Sequence, residues 1–210
     1  MFYRKYEIGA KFEYSDFNAQ LLGIMVERAV NKSLALYFEE KIWSKIGSKY
    51  DASWAIADRQ LKMTKAYCWL NATAIDLAKF GRLLLQHGDW EGEQIIPESW
   101  VKKSIYPFQG SEYGHYSYMW WHTQTFEEIK DDEYLLQKDQ NARYFKQYSR
   151  NDALTQGKLG NYIYILPEKE VIIVRLGKKK GGKKYPNGAK LDLDWGQIFY
   201  KIGMEIDSND

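Results

Sequence analysis

The sequence predicts an α+β fold. Three observations carry that expectation. Apolar residues recur with a helical period through the first hundred residues, the pattern turns to alternating aromatic and β-branched residues after Pro107, and the chain closes on one more helical stretch. A 45% hydrophobic content over 210 residues can fill a core of this kind, in one large domain or two small ones. The change at Pro107 places a helical part over 1–107 and strands with a closing helix over 108–210.

Each element has its own signal. Phe17 to Val30 carries Leu21, Leu22, Met25, Val26 and Ala29 at helical spacing, which predicts a helix with that face turned inward. Ser33 is an N-cap for "NKSLALYFEEKIWSKIG", and Gly47 stops that segment. Residues 48–65 show no clean period. Thr73 and Asp76 form a Thr-x-x-Asp capping pair before Leu77, Phe80, Leu84 and Leu85, with Gly88 as the stop. Pro97 opens a short helix. "YGHYSYMWWHTQ" reads as strand, and "NYIYILPEKEVIIVRLG" reads as two β-branched runs joined through Pro-Glu-Lys-Glu in a hairpin. "IIVRL" suits a central strand, yet the strands are few for a chain of this size, so something further is expected to pair with them.

Composition narrows the function classes. A net charge of +2 gives no reason to expect a nucleic-acid partner. The one basic run, from Gly177 to Gly188, reads as a solvated loop. A single cysteine, Cys68, excludes an internal disulfide and reads as a buried, inert thiol. His87, His115 and His122 lack metal-ligand spacing, and no metal site is expected. No run is apolar and long enough to cross a bilayer, and "MFYRKYEIGAKF" lacks the apolar core of a signal peptide.

Four short motifs bear on chemistry. Tyr14 and Asp16 stand where the first helix begins, as helix-start residues or as part of a site. A phenol near pKa 10 is a useful base at neutral pH only beside cations that stabilise its phenolate. Ser99-Trp100-Val101-Lys102 is a literal Ser-x-x-Lys, but it opens a short helix after Pro97 and reads as a decoy. Gly157 and Gly160, with Lys158 between them, mark either a turn between strands or a strand edge along which a substrate lies, with a backbone N–H offered to an oxyanion. Trp120 and Trp121 are core aromatics or the wall of a cleft.

Taken in order, these segments resemble a known family. "GAKFEYSDFNAQLLGIMVERAVNKSLALYFEEKIW", "LNATAIDLAKFGRLLLQHGDWEGEQIIPESWV", "YSYMWW" and "GKLGNYIYILPEKEVIIVRLG" are similar to successive blocks of the serine β-lactamase-like hydrolases. That family includes class C β-lactamases, related esterases, amide hydrolases and penicillin-binding proteins. The likeness runs from about Gly9 to Leu176. It implies a β-lactamase-like fold, here incomplete: a helical subdomain, the C-terminal strands of an antiparallel sheet and a terminal helix.

By that resemblance Tyr14 matches the catalytic tyrosine, and Asp16 falls where asparagine is usual. Lys158 falls near the family's histidine or lysine, and Asn161 takes the place of glutamine, with Gly157 and Gly160 on the substrate strand. The nucleophilic serine of Ser-x-x-Lys belongs upstream of the tyrosine, so this chain resembles the C-terminal portion only and is expected to be inactive, or nearly so, by itself. The partner implied is a missing N-terminal portion of the same fold, and the substrate an acyl compound (a β-lactam, ester, amide or peptide), with no cofactor. Alternatives are a non-catalytic binding module and a truncated remnant. Members are often periplasmic or exported.

Overall fold

The computed structural model describes residues 7, 14–60, 62–106, 116–128, 145–184 and 190–206. His115, the basic residues' neighbours 185–189 and most of the amino-terminal segment fall outside them. Compactness divides the chain into two units, Met1–Asp76 and Leu77–Asp210.

In the first unit, helix α1 spans Asp16–Val30. Ser15, extended at φ −146°, caps it by accepting from the Asn18 N–H at 3.3 Å. The apolar period read as an inward face lies outward instead: Leu21, Leu22, Met25 and Val26 are all exposed. What α1 buries is Ala19 and Gly23. A side chain at Gly23 would collide with the Ala66 Cβ 2.3 Å away, so only glycine permits this approach. Beside them, polar side chains do the fastening. The Gln20 amide donates to the Thr64 carbonyl at 2.9 Å and accepts from the Ala66 N–H at 3.0 Å. Glu27 accepts from the N–H groups of Leu34 and Thr64 at 2.8 and 3.1 Å.

Helix α2, Leu34–Phe38, starts at Ser33 as expected and runs into a wider turn over Glu39–Trp43, before Gly47 at φ +61°. The stretch without a clean period holds strands too short to show one: β1 (Ser53–Trp54), β2 (Ile56–Asp58) and β3 (Met63–Thr64), followed by β4 (Leu70–Asn71). They pair as β1 with β4 and β2 with β3. Helix α3, Ala74–Leu85, opens at the Thr73–Asp76 pair. The Asp76 N–H donates to Thr73 Oγ1 at 3.3 Å, and that hydroxyl donates to Asp76 Oδ2 at 2.7 Å. The fully buried Asp76 carboxylate also accepts from the N–H groups of Lys49 and Tyr50.

The second unit adds the small hairpin of β5 (Asp89–Trp90) and β6 (Glu93–Gln94), then helix α4, Glu98–Ile105. Strands β7 (Tyr116–Ser117), β8 (Trp120–Trp121), β9 (Gln124–Glu128), β10 (Phe145–Ser149), β11 (Ala153–Leu154), β12 (Tyr162–Leu166) and β13 (Val171–Arg175) follow. Five of them form one antiparallel sheet in the order β13-β12-β11-β8-β7. The expected hairpin is β12 and β13, in register from Tyr162–Arg175 to Leu166–Val171. Pro167–Lys169 turns the chain and Glu170 closes the turn at φ +53°. β12 lies inside the sheet, between β13 and β11, and is buried along its whole length. "IIVRL" lies in β13 at one end of the sheet, and among the described residues it pairs with β12 alone.

Alternation along β12 feeds two cores. Ile163 and Ile165 pack with Ala153, Leu84 of α3, and Val101 and Ile105 of α4. Tyr162, Tyr164 and Leu166 face the other way, onto Phe199 of the closing helix α5, Trp195–Glu205. The boundary between the two compact units falls within α3, between Asp76 and Leu77. Most of α3 and all of α4 belong with the sheet because their apolar faces share its core. The basic run is not simply a loop: its Gly182–Lys184 forms β14, paired with β15 at Lys190–Asp192.

Candidate active site

Two groups of candidate residues lie in different units. In the first unit Tyr14 is half exposed, and Asp16 is the first residue of α1, with Ser15 rather than either of them forming the cap. A carboxylate in the first turn is favoured by the helix dipole, so Asp16 has a local structural role. Burial raises the pKa of the Tyr14 phenol above its ordinary value, helped by the nearby Asp16 carboxylate and then by Cys68. All three influences oppose the phenolate. A base needs the opposite shift, which a cation beside the ring would supply. Cys68 is half-buried rather than sealed in a core, and its carbonyl accepts from the Trp54 indole at 3.0 Å.

In the second unit Gly157, Lys158, Gly160 and Asn161 form one tight loop between β11 and β12. The Gly160 N–H donates to the Gly157 carbonyl at 2.9 Å, and the Gly157 N–H donates to the Asn161 carbonyl at 2.8 Å. Gly160 sits at φ +82°, where a Cβ would also meet Arg175 and the Lys179 carbonyl. The two glycine N–H groups are thus spent inside the turn. The exposed tip carries Lys158 and Leu159, whose N–H groups the turn does not use. Asn161 is tied elsewhere, its side-chain carbonyl accepting from the Gly177 N–H at 2.8 Å.

Sequence reading missed the residue that holds this loop. The Arg175 guanidinium donates to the carbonyls of Gly160 and Lys179 and lies 4.1 Å from the centre of the Trp195 ring. An arginine ending a β-branched strand is an ordinary surface signal, so nothing nearby in sequence marks it.

Trp120 and Trp121 do not form one wall. Neighbours on a strand point to opposite faces, so Trp120 packs against the Leu84–Ile163 core and Trp121 against the Leu154–Phe199 core. Only Trp121 lines the cavity of about 400 Å³ bounded by Leu154, Gln156, Tyr162 and the start of α5. Next to it lies a buried polar cluster that the sequence did not announce. The fully buried Asp152 carboxylate accepts from the Thr123 N–H at 2.7 Å, the Thr123 hydroxyl at 2.5 Å and the Tyr164 phenol at 2.9 Å. Burial, with that carboxylate beside it, pushes the Tyr164 phenol far above its ordinary range. The cluster anchors the turn before β11 and is closed to solvent.

Ser99 is exposed on α4, and Lys102 is paired with Glu98 at 2.5 Å. That ion pair holds the Glu98 carboxyl below its ordinary range and engages the ammonium a serine nucleophile would need. The described residues hold no cluster of three or more metal-ligating side chains, and none of their helices is long and apolar enough to cross a membrane.

The pattern of the family described as Beta-lactamase matches residues 4–194. The chain belongs to the Beta-lactamase family. Among curated proteins it is similar to the 6-aminohexanoate-dimer hydrolase of Paenarthrobacter ureafaciens, 27% identical over 95 residues, which is 45% of this chain and 24% of that protein. Among solved structures it is similar to a Bacillus anthracis protein assigned as a 6-aminohexanoate-dimer hydrolase, at 25% identity and a TM-score of 0.66, covering 93% of this chain and 44% of that one. A Bacteroides dorei protein assigned as a beta-lactamase shares the fold at 16% identity and a TM-score of 0.60, covering 96% of this chain and 60% of that one. The chain thus spans about a quarter of the curated relative and less than half of the Bacillus anthracis structure. The β-lactamase-like α+β reading of the sequence agrees with these neighbours.

Proposed function

We propose that this chain is the C-terminal portion of a serine hydrolase that transfers acyl groups from amides or esters to water, and that the 210 residues alone are inactive or nearly so. The observation that supports the reading is Tyr14 within a β-lactamase-family chain: it stands just before α1, where burial, the Asp16 carboxylate and Cys68 raise its pKa. A tyrosine with a raised pKa relays a proton only where a cation such as a lysine ammonium stabilises its phenolate. The chain's own Ser-x-x-Lys does not serve, because Lys102 is engaged by Glu98.

In the complete enzyme a serine oxygen attacks the substrate carbonyl carbon while the lysine–tyrosine pair takes the hydroxyl proton. The tetrahedral intermediate collapses, the carbon–nitrogen or carbon–oxygen bond to the leaving group breaks, and the pair returns the proton to that group. Water repeats the sequence on the acyl-serine. The oxyanion is met by one N–H at the serine and one from the tip of the 157–161 loop, where Lys158 and Leu159 carry the donors outside the turn. β12 and the Arg175 latch make that loop rigid, as preorganised stabilisation requires.

The test is to incubate the chain with nitrocefin, p-nitrophenyl acetate and a fluorophosphonate acylating probe, alone and after mixing with an N-terminal β-lactamase-fold portion. The expected result is no burst and no labelled serine for the chain alone. Turnover should appear in the mixture and fall by about 10²–10⁴-fold on Tyr14→Phe. Stoichiometric labelling of Ser99 in the isolated chain overturns the reading. Asp16 in the usual asparagine position favours a second reading, a binding module without chemistry. Saturable shifts in tryptophan fluorescence without turnover in either preparation would select it.

A further inference from the structure

The segment Lys65–Trp69, between β3 and β4, has a backbone fastened from several sides and large side chains left over. The Ala66 N–H donates to the Gln20 side chain at 3.0 Å, and the Ala66 Cβ fits against Gly23 of α1. The Lys65 N–H donates to the Ala55 carbonyl at 2.8 Å, and the Ala55 N–H donates to the Trp69 carbonyl at 3.1 Å. The Trp54 indole donates to the carbonyls of Lys65 and Cys68, each at 3.0 Å. So anchored, Trp69 is held at φ +69°. That conformation is an outlier for a bulky residue; it persists only where the surroundings impose it, and such strain clusters at functional sites.

The strained residue is not spent on packing, because Trp69 is 66% exposed. The Lys65 Nζ lies 5.0 Å from the centre of the Trp69 ring and 5.6 Å from that of Tyr67. Among the described residues no carboxylate forms an ion pair with this ammonium. A cation beside two aromatic faces, with its N–H donors still to be used, is matched by an organic anion with a flat apolar part. The segment also borders the candidate catalytic tyrosine. Cys68, next to Trp69, is close enough to raise the pKa of the Tyr14 phenol. The bonds from Gln20 to Thr64 and Ala66 hold the segment against the first turns of α1, which begins at Asp16.

We propose that Lys65, Tyr67 and Trp69 set the specificity of the Tyr14 site, selecting substrates that carry a carboxylate and a flat apolar group. The inference rests on the serine-hydrolase reading above and names the substrate class for it. Lys65 donates to the carboxylate, and the exposed Trp69 indole, with Tyr67 beside the same ammonium, receives the apolar group. An uncharged analogue forfeits the charge-assisted bond and keeps only the stacking. A cationic analogue meets the ammonium as a like charge and is rejected.

The experiment titrates the full 210-residue chain, labelled with 5-fluorotryptophan, with N-benzoylglycine and with its uncharged amide, followed by fluorine NMR. The Trp69 resonance is the one lost in Trp69→Phe. N-benzoylglycine should shift it saturably, and the amide should bind about tenfold more weakly. Lys65→Met, which keeps the apolar stem, should erase the difference between the two ligands while circular dichroism and the melting temperature stay as in the wild type. If Trp69→Phe fails to fold, the loss of preference in Lys65→Met decides. Equal affinity for acid and amide, a preference that survives Lys65→Met, a shift confined to other tryptophans, or no binding of the acid overturns the proposal. Because binding is read on the chain alone, the two readings fail separately. Selective binding at Lys65 and Trp69 with no labelled serine in the mixture keeps the subsite and removes the hydrolase reading. Serine labelling in the mixture with no preference for the acid keeps the hydrolase and removes the subsite.

Discussion

Helix α1 and strand β12 each carry a run of large apolar residues, and the two runs have opposite fates. Every residue of β12 is buried, with Ile163 and Ile165 on one face and Tyr162, Tyr164 and Leu166 on the other. α1 fully buries only an alanine and a glycine and leaves Leu21, Leu22, Met25 and Val26 outside. Burying a leucine is worth about 1.5–3 kcal/mol, so a stripe of four large side chains left in water is a substantial unmet drive. The difference teaches that an apolar period identifies a face that must be covered, but not the chain segment that covers it. Within the second unit α3, α4 and α5 cover the sheet. Within the first, small side chains and two polar clamps hold α1, and Leu21, Leu22, Met25 and Val26 are exposed.

Three substitutions sharpen that contrast. Ile165→Ala, in the interior of β12, should cost about 2–5 kcal/mol in urea unfolding, the expense of a cavity in a closed core. A value below 1 would mean that the sheet core is loosely packed and the contrast false. Gln20→Ala on the inward face of α1 leaves the Thr64 carbonyl and the Ala66 N–H without their partner. It should cost about 1–3 kcal/mol, and a neutral outcome would remove the polar clamp. Leu21→Gln on the outward face should change stability by no more than about 0.5 kcal/mol. A loss of 2 or more would show that the chain itself already covers the stripe.

Much of the second unit was legible in the sequence because its signals are local. The Pro167–Glu170 turn and the β-branched runs of β12 and β13 sit within a few residues of the structure they dictate, as does the Thr73–Asp76 cap at the end of the first unit. The short strands of the first unit were not legible, since two or three residues cannot display a period. The orientation of α1 was misread for a different reason. Its inward contacts are a glycine and two long polar side chains whose partners lie about forty residues on, at Thr64 and Ala66, and no local rule ranks these above a run of leucines.

The site divides in the same way. Tyr14 and Asp16 were placed at a helix start from their own neighbourhood, and the turn at Gly157–Asn161 followed from its glycines. Which N–H groups that turn consumes depends on its closed geometry, and the hand that fastens it, Arg175, arrives from the far end of the hairpin. The pairing of Asp152 with Thr123 and Tyr164 likewise joins three separate segments. Such contacts become visible only when the chain has closed on itself.

The one-sided pairing of β13 has a colloidal consequence. Among the described residues no strand pairs with its outer backbone, on the β-branched segment Val171–Arg175. Edges of this composition template growth by adding like strands, one molecule onto the next. Were that edge left uncovered in concentrated solution, growth into fibrous material is the expected outcome, since Arg175, the single charge in the segment, is itself engaged by the Gly160 and Lys179 carbonyls.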